Sequence, residues 1–329
     1  MESSLINRPL AQVVLAGALA LAMASTLKQQ ADEKAVAPSL SDPDTELLEL
    51  DSERHNRLTL PVRIAGAGPY DFMIDTGSQA TVVTHEINEE LGLVDAGMAT
   101  VIGMASSREV GLVEVDDLQF GSRTIHGLTA PVLERSHIGA DGIIGLDSLQ
   151  DMRVMFDFRK RTIAVADADE KYSNRGYEII VRARPKLGQL LITKAYVEGI
   201  KTTVIIDTGA QATLGNLALR EKIRKKRAEM DILTTDVNGV SMVAPLNVAR
   251  SLKIQGLELK NMPIAYADAP AFKALGLDEE PTISLGMEHL RVFDRVAIDF
   301  SKQRVLFDLP RGAKSGRGVM RRKAPSRLE

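Results

Sequence analysis

Apolar and polar residues alternate over short stretches along most of the chain, with turn residues between the stretches and few runs at helical spacing. Leu58, Leu60, Val62 and Ile64 mark a half-buried strand over Leu58 to Ala65, which Gly66-Ala67-Gly68-Pro69 then turns. Phe72 to Ile74 follows as a strand, and His85 to Leu91 is predicted as a short helix stopped by Gly92. Val101 to Val113 reads as a hairpin about the tip Met104-Ala105-Ser106-Ser107, and Val113 to Phe120 and Leu128 to Leu133 as further strands. Gly142 to Asp147 leads into a short helix through Met152, then strands at Val154 to Phe158 and Thr162 to Val165.

The second half repeats this order. Ile179 to Val181, Leu190 to Val197 and Val204 to Ile206 read as strands, and Leu217 to Met230 as a longer helix. Asn238-Gly239 is the pair that favours a two-residue hairpin turn, and a helix at Glu288 to Leu290 precedes Val296 to Phe300 and Arg304 to Phe307. One stretch is almost written twice. Tyr70-Asp71-Phe72-Met73-Ile74-Asp75-Thr76-Gly77-Ser78-Gln79-Ala80-Thr81 is matched by Thr202-Thr203-Val204-Ile205-Ile206-Asp207-Thr208-Gly209-Ala210-Gln211-Ala212-Thr213. Further on, Gly145 answers Gly286, and Phe156-Asp157-Phe158 answers Ile298-Asp299-Phe300. A unit longer than a solenoid repeat, present twice, is a duplicated domain, and many short strands with few helices place each copy in the all-β class. The expected organisation is therefore bilobal, with lobes at 57–167 and 178–310 joined by a polar link at 168–177.

Composition narrows the function. A net charge of −3 and 4% aromatic residues give no basic face with stacking platforms, so nucleic acid is not an expected partner. Cysteine is absent and the five histidines lack metal-ligand spacing, so neither a metal site nor a cofactor is expected. Arg220 to Arg227 is strongly basic and reads as a solvated helix face. At the N-terminus, Arg8 precedes an apolar run from Val13 to Ala24 that closes on Ala22-Met23-Ala24. That is the shape of a secretory signal over residues 1–24, which predicts export to a periplasm or cell exterior. An uncleaved segment would instead anchor the chain to a membrane. Residues 25–56 read as a flexible acidic linker and 311–329 as a disordered basic tail.

The duplicated stretch carries the chemistry. An apolar strand that ends in an acid, a hydroxyl and a glycine spends a core position on a residue depleted in strands and rarely buried alone. Brought together across a pseudo-two-fold axis, Asp75 and Asp207 would repel by roughly 5 kcal/mol at 3 Å and an effective dielectric near 20. Such a pair holds one proton between its members. It then offers a base for a water and an acid for a substrate oxygen. Gly77 and Gly209 allow a tight turn after each acid, and Thr76 and Thr208 can hydrogen-bond between lobes. Ser78 is expected to donate to Asp75 and favour its ionised form, whereas Ala210 offers Asp207 no such donor. The bland alternative is that both acids simply cap turns.

These residues resemble the pepsin/retropepsin-type aspartic peptidases, whose Asp-Thr-Gly-Ser/Ala signature is matched by Asp75 to Ser78 and Asp207 to Ala210. The later apolar-apolar-Gly element of that family is matched by Ile143-Ile144-Gly145 and, with a serine in an apolar place, by Ser284-Leu285-Gly286. The resemblance spans both lobes. It implies a closed-β bilobal fold, a cleft between the lobes, hairpin flaps over an extended peptide, and hydrolysis by an activated water without cofactor. Candidate flap tips fall at Met104 to Ser107 and at Asn238-Gly239, for one flap or two, and the Val101 to Val113 hairpin lacks the tyrosine that pepsin-like enzymes carry on the flap of the first lobe. The expected partner is a peptide or protein substrate, with both lobes supplied by a single monomeric chain. A binding module that uses the same cleft without cleavage, and a dedicated protease for one partner or its own leader, are the alternatives.

Overall fold

Each half is built around the strand that ends in its aspartate. In the computed structural model, which describes residues 58–121, 123–167, 174, 176–223 and 230–310, Thr59–Ile64 and Ala67–Ile74 form an antiparallel hairpin. Backbone alone is described for three short N-terminal strands, Ala11–Val14, Ala20–Leu21 and Ser39–Leu40. The remainder of the expected leader and acidic linker, most of the link at 168–177 and the basic tail lie outside the described residues.

Gly142–Ile144 runs parallel to Ala67–Ile74 with Ile143 opposite Met73, and Val82–Thr84 flanks it antiparallel. The second half repeats the arrangement. Gln189–Val197 pairs antiparallel with Ile200–Ile206, Thr282–Leu285 lies parallel to the latter with Ser284 opposite Ile205, and Leu214–Gly215 closes the set. A strand with neighbours on both edges and packing on both faces needs a continuous apolar run. Phe72-Met73-Ile74 and Val204-Ile205-Ile206 are such runs, and all six side chains are buried.

A third sheet joins the halves, in the order Thr162–Asp167, Met152–Asp157, Arg295–Asp299, Arg304–Asp308, Ile179–Arg182. Its register sets Arg153 opposite Asp299 and Asp157 opposite Arg295, a pseudo-symmetric pair of cross-strand charges. Asp157 and Asp299 also accept the backbone N–H groups of Lys160 and Lys302, each at 2.9 Å. That explains why an acid recurs just before each turn. Phe156, Phe293, Phe307 and Leu290 bury themselves in one apolar core that reaches into both lobes.

Two hairpins project from the lobes as flaps. Asp95–Ile102 pairs with Ser107–Val115, and Met230–Thr235 pairs with the first residues of Ser241–Ile254. Ala11–Val14 lies parallel along the edge of the first flap, and Ala20–Leu21 lies antiparallel along the second. No helix among the described residues is long and apolar enough to cross a membrane.

The structure corrects several expected elements. The helix at Leu217 ends at Lys222 rather than Met230, because Met230 opens the flap strand and is held extended opposite Leu246. Residues 224–229, and with them most of the basic run, fall outside the described set. The second flap turns through residues 236–240 instead of a two-residue loop. There Asp236 accepts the N–H groups of Asn238 and Val240 at 3.0 and 3.1 Å, so its side chain replaces the ladder bonds of a tighter hairpin. The helix after Gly145 is Leu146–Leu149 only, and Met152 already belongs to the central sheet. Pro270–Ala274, a helix with proline in its first turn, was not expected from the periodicity.

Candidate active site

The two aspartates meet at the lobe interface, both fully buried. Each lies against the glycine of the opposite lobe. A Cβ added to Gly77 would come within 2.8 Å of the Asp207 carboxyl carbon, and one added to Gly209 within 2.2 Å of that of Asp75. The glycines are therefore required for close approach, since any side chain there would drive the acids apart.

The threonines lock the two loops to each other. Thr76 N–H donates to Thr208 Oγ1 at 3.1 Å and Thr208 N–H to Thr76 Oγ1 at 3.3 Å. Their hydroxyls then donate across the interface, Thr76 to the Ile206 carbonyl at 2.7 Å and Thr208 to the Ile74 carbonyl at 2.8 Å. Every group in this crossed set is buried and paired, so the lobes cannot shear without orphaning several of them.

Behind each loop, the last residue of the duplicated motif explains its presence. The hydroxyls of Thr81 and Thr213 accept the N–H groups of Gly145 and Gly286, each at 3.1 Å. A Cβ on Gly145 would sit 2.2 Å from the Ala80 carbonyl, and one on Gly286 2.3 Å from that of Ala212. The Gln-Ala-Thr of the repeat and the later glycine are thus two sides of a single close contact.

The acids differ in their donors. Asp75 Oδ1 accepts from the N–H groups of Gly77 at 2.7 Å and Ser78 at 3.1 Å. The Ser78 hydroxyl, expected on Asp75, donates instead to the Ala80 carbonyl at 2.7 Å, because the tight turn places that acceptor nearer. Asp207 Oδ1 accepts from Ala210 N–H at 2.9 Å, and its Oδ2 accepts from the hydroxyl of Ser284 at 2.5 Å. The hydroxyl donor is therefore on Asp207, supplied by the neighbouring strand, and the expected asymmetry is reversed. Burial, followed by the charge of Asp75, pushes the Asp207 carboxyl well above the usual carboxylate range, and the bonds from Ser284, Ala210 and Gly209 only partly oppose this.

The tip of each hairpin packs against the opposite lobe. Met104, at the tip of the first, shares a buried apolar cluster with Leu191, Ile205 and Ala210 of the second lobe. Val237, on the second tip, shares one with Met73, Val82, Ile143 and Leu133 of the first lobe. Between the tips, Asp236 Oδ2 accepts from Ala105 N–H at 3.1 Å and from the Ser106 hydroxyl at 2.7 Å. Asn238 donates to the Val101 carbonyl at 3.3 Å and to Ser106 Oγ at 3.0 Å. Of the other tip residues, Ser107 opens the return strand opposite Ile102, and Gly239 sits against His137, where a Cβ would come within 2.4 Å of the ring. Asp236 was not anticipated as a functional residue. Its only signal in the sequence is an acid two places before Asn-Gly.

A further residue escaped sequence reasoning. Gln189 is buried and donates to the Gly77 carbonyl at 2.9 Å, so the second lobe also holds the loop that carries Asp75. No group of three or more histidine, cysteine or acidic residues suited to a metal occurs among the described residues.

The family described as Aspartyl protease matches at residues 60–148 and again at 193–289, more than half of the chain, the first segment containing Asp75 and Gly145 and the second Asp207 and Gly286. No curated protein matches the chain. Among solved structures, a retropepsin-like aspartic protease from Rickettsia conorii is similar at 22% identity over 40% of this chain and 88% of its own, with a TM-score of 0.29. With two family segments covering both motif-bearing halves, the chain belongs to the aspartyl protease family.

Proposed function

We propose that the protein is an aspartic endopeptidase in which Asp75 and Asp207 share one proton and activate the water that attacks a peptide carbonyl. The observation that carries this reading is the packing of each buried aspartate against the opposite glycine, with the charge of Asp75 raising the carboxyl of Asp207. Two acids so placed do not both ionise, and they titrate as a unit. The protonated member of the pair protonates the carbonyl oxygen, while the ionised member takes a proton from the water. No covalent intermediate is needed. The two flaps close over an extended substrate whose backbone lies across the pair. Turnover tests the reading: the full chain cuts a mixed peptide pool, and Asp75→Asn and Asp207→Asn each lower the rate roughly a hundred- to ten-thousandfold. A folded wild type that binds peptides from the pool and cuts none would identify a binding module instead.

A second reading is favoured by the N-terminal strands. Ala11–Val14 and Ala20–Leu21 pair with one hairpin of each lobe, and Ser39–Leu40 pairs with Leu257–Tyr266, so strands of the N-terminal segment lie against both lobes. We infer a protease that also processes its own leader. A defined cut between Lys28 and Asn56 that disappears in Asp75→Asn supports it, and an intact leader in the active protein rules it out.

A further inference from the structure

The two lobes differ at one position next to the acids. Ile143 and Ser284 occupy the same place in the repeat. Ile143 lies opposite Met73 and Val82 on its neighbouring strands, and Ser284 lies opposite Ile205 and Leu214. In the first lobe the isoleucine joins an apolar cluster under the second flap. In the second lobe the serine is fully buried, and its hydroxyl points at a carboxylate oxygen. A buried serine in an apolar strand loses its water and gains nothing from packing, so its hydrogen bond is what stabilises it there.

We propose that Ser284 is a positioning residue for the reaction, fixing Oδ2 of Asp207 and drawing that acid toward its ionised form so that the pair releases its proton at a lower pH. This rests on the peptidase reading above. The bond is 2.5 Å long and runs from a neutral hydroxyl to a carboxyl oxygen, the geometry of a strong, charge-assisted contact when the acid is ionised. Three donors reach Asp207: Ser284 Oγ, Ala210 N–H and Gly209 N–H. The charged group that acts on it is Asp75, and the residues clustered around Ala210 from flap and lobe are the apolar Met104, Leu191 and Ile205. Among the described residues, Ser284 is thus the one side chain that opposes the effect of burial and of Asp75 on this carboxyl. At the corresponding place in the first lobe Ile143 carries no donor, and the Ser78 hydroxyl donates to the Ala80 carbonyl.

The test compares pH profiles of kcat/KM for the full-length wild type, Ser284→Ala and Ser284→Thr on a peptide that the wild type cuts. Loss of the donor disfavours the ionised acid, so Ser284→Ala moves the alkaline limb up by about one pH unit. The acid limb, set by the first ionisation of the pair, moves less. Ser284→Thr keeps the hydroxyl and keeps the wild-type profile. A superimposable Ser284→Ala profile would overturn the inference, as would equal movement of both variants. Should Ser284→Ala fail to fold, Ser284→Cys, a much weaker donor, must move the limb in the same direction. If the wild type cuts no peptide, the peptidase reading fails by itself. The inference is then decided by carbon-detected NMR titration of 13C-aspartate protein, with Asp207 assigned through Asp207→Asn. An unchanged Asp207 midpoint in Ser284→Ala would sink it.

Discussion

At the level of single residues, the site is held by groups that have no alternative partner. Thr208 shows this best: its hydroxyl donates to the Ile74 carbonyl and accepts the Thr76 N–H, both across the lobe interface. Thr208→Val keeps the shape and leaves two buried backbone groups unpaired. It should cost about 2–4 kcal/mol, read as a lowered denaturation midpoint with an unchanged slope. The meeting of Asp75 with Asp207, the close approach of Gly77 and Gly209 and the bonds between Thr76 and Thr208 were legible in the sequence because each is tied to a backbone turn, and the turn was written twice. The destination of the Ser78 hydroxyl was not. A serine one place after the glycine can reach either a carboxylate or a carbonyl, and only the loop geometry decides. Asp236 and Gln189 were invisible for a related reason, since both act on residues more than a hundred positions away in the chain.

Among the elements, the flaps carry the most information about how the protein works. Their tips are tied by the Asp236 carboxylate, which receives Ala105 N–H and Ser106 Oγ from the opposite hairpin. The backbone bonds within each hairpin do not depend on that contact. Ser106→Ala removes the hydroxyl bond between the tips and leaves the Asp236 bonds to Asn238 and Val240 within the second hairpin, so it should raise KM several-fold and leave the thermal midpoint nearly in place. Parallel steady-state kinetics and circular dichroism melts check this. An equal fall in kcat with KM unmoved would show that the tips act in the chemical step rather than in retaining substrate. The hairpin at Met104 to Ser107 was readable from its alternation and small tip residues. The second flap was half hidden, because its first strand follows a charged stretch that extends a helical pattern through Met230. The pairing of Met230–Thr235 with Ser241–Leu246 overrides that propensity.

For the molecule as a whole, duplication is the main fact, and the departures from it set how its stability depends on pH. Thr81 in the first lobe meets the Ser148 hydroxyl at 2.6 Å, and its counterpart Thr213 meets Nδ1 of His289 at the same distance. His289 is buried, which lowers its pKa from 6.5 to about 3. The unfolded chain therefore binds this proton as the pH falls below 6.5, and the native protein does not bind it until about 3. Stability is lost across that window, by roughly 3 kcal/mol at pH 4. His289→Asn should flatten the acid side of the stability curve, measured by chemical denaturation from pH 4 to 7. The all-β bilobal fold was legible at this scale because the repeat is long and its punctuation strong. The central sheet was not, since its register is set by contacts between the two copies.

The most direct test of the central claim, that the two acids act as a single unit, is the residual rate of three proteins beside wild type: Asp75→Asn, Asp207→Asn and the double variant. A shared pair predicts that each single change costs as much as both together, with all three reduced to the same low rate. Substantial cleavage in either single variant, or a double variant far slower than both singles, would show that the aspartates work separately and would contradict this account.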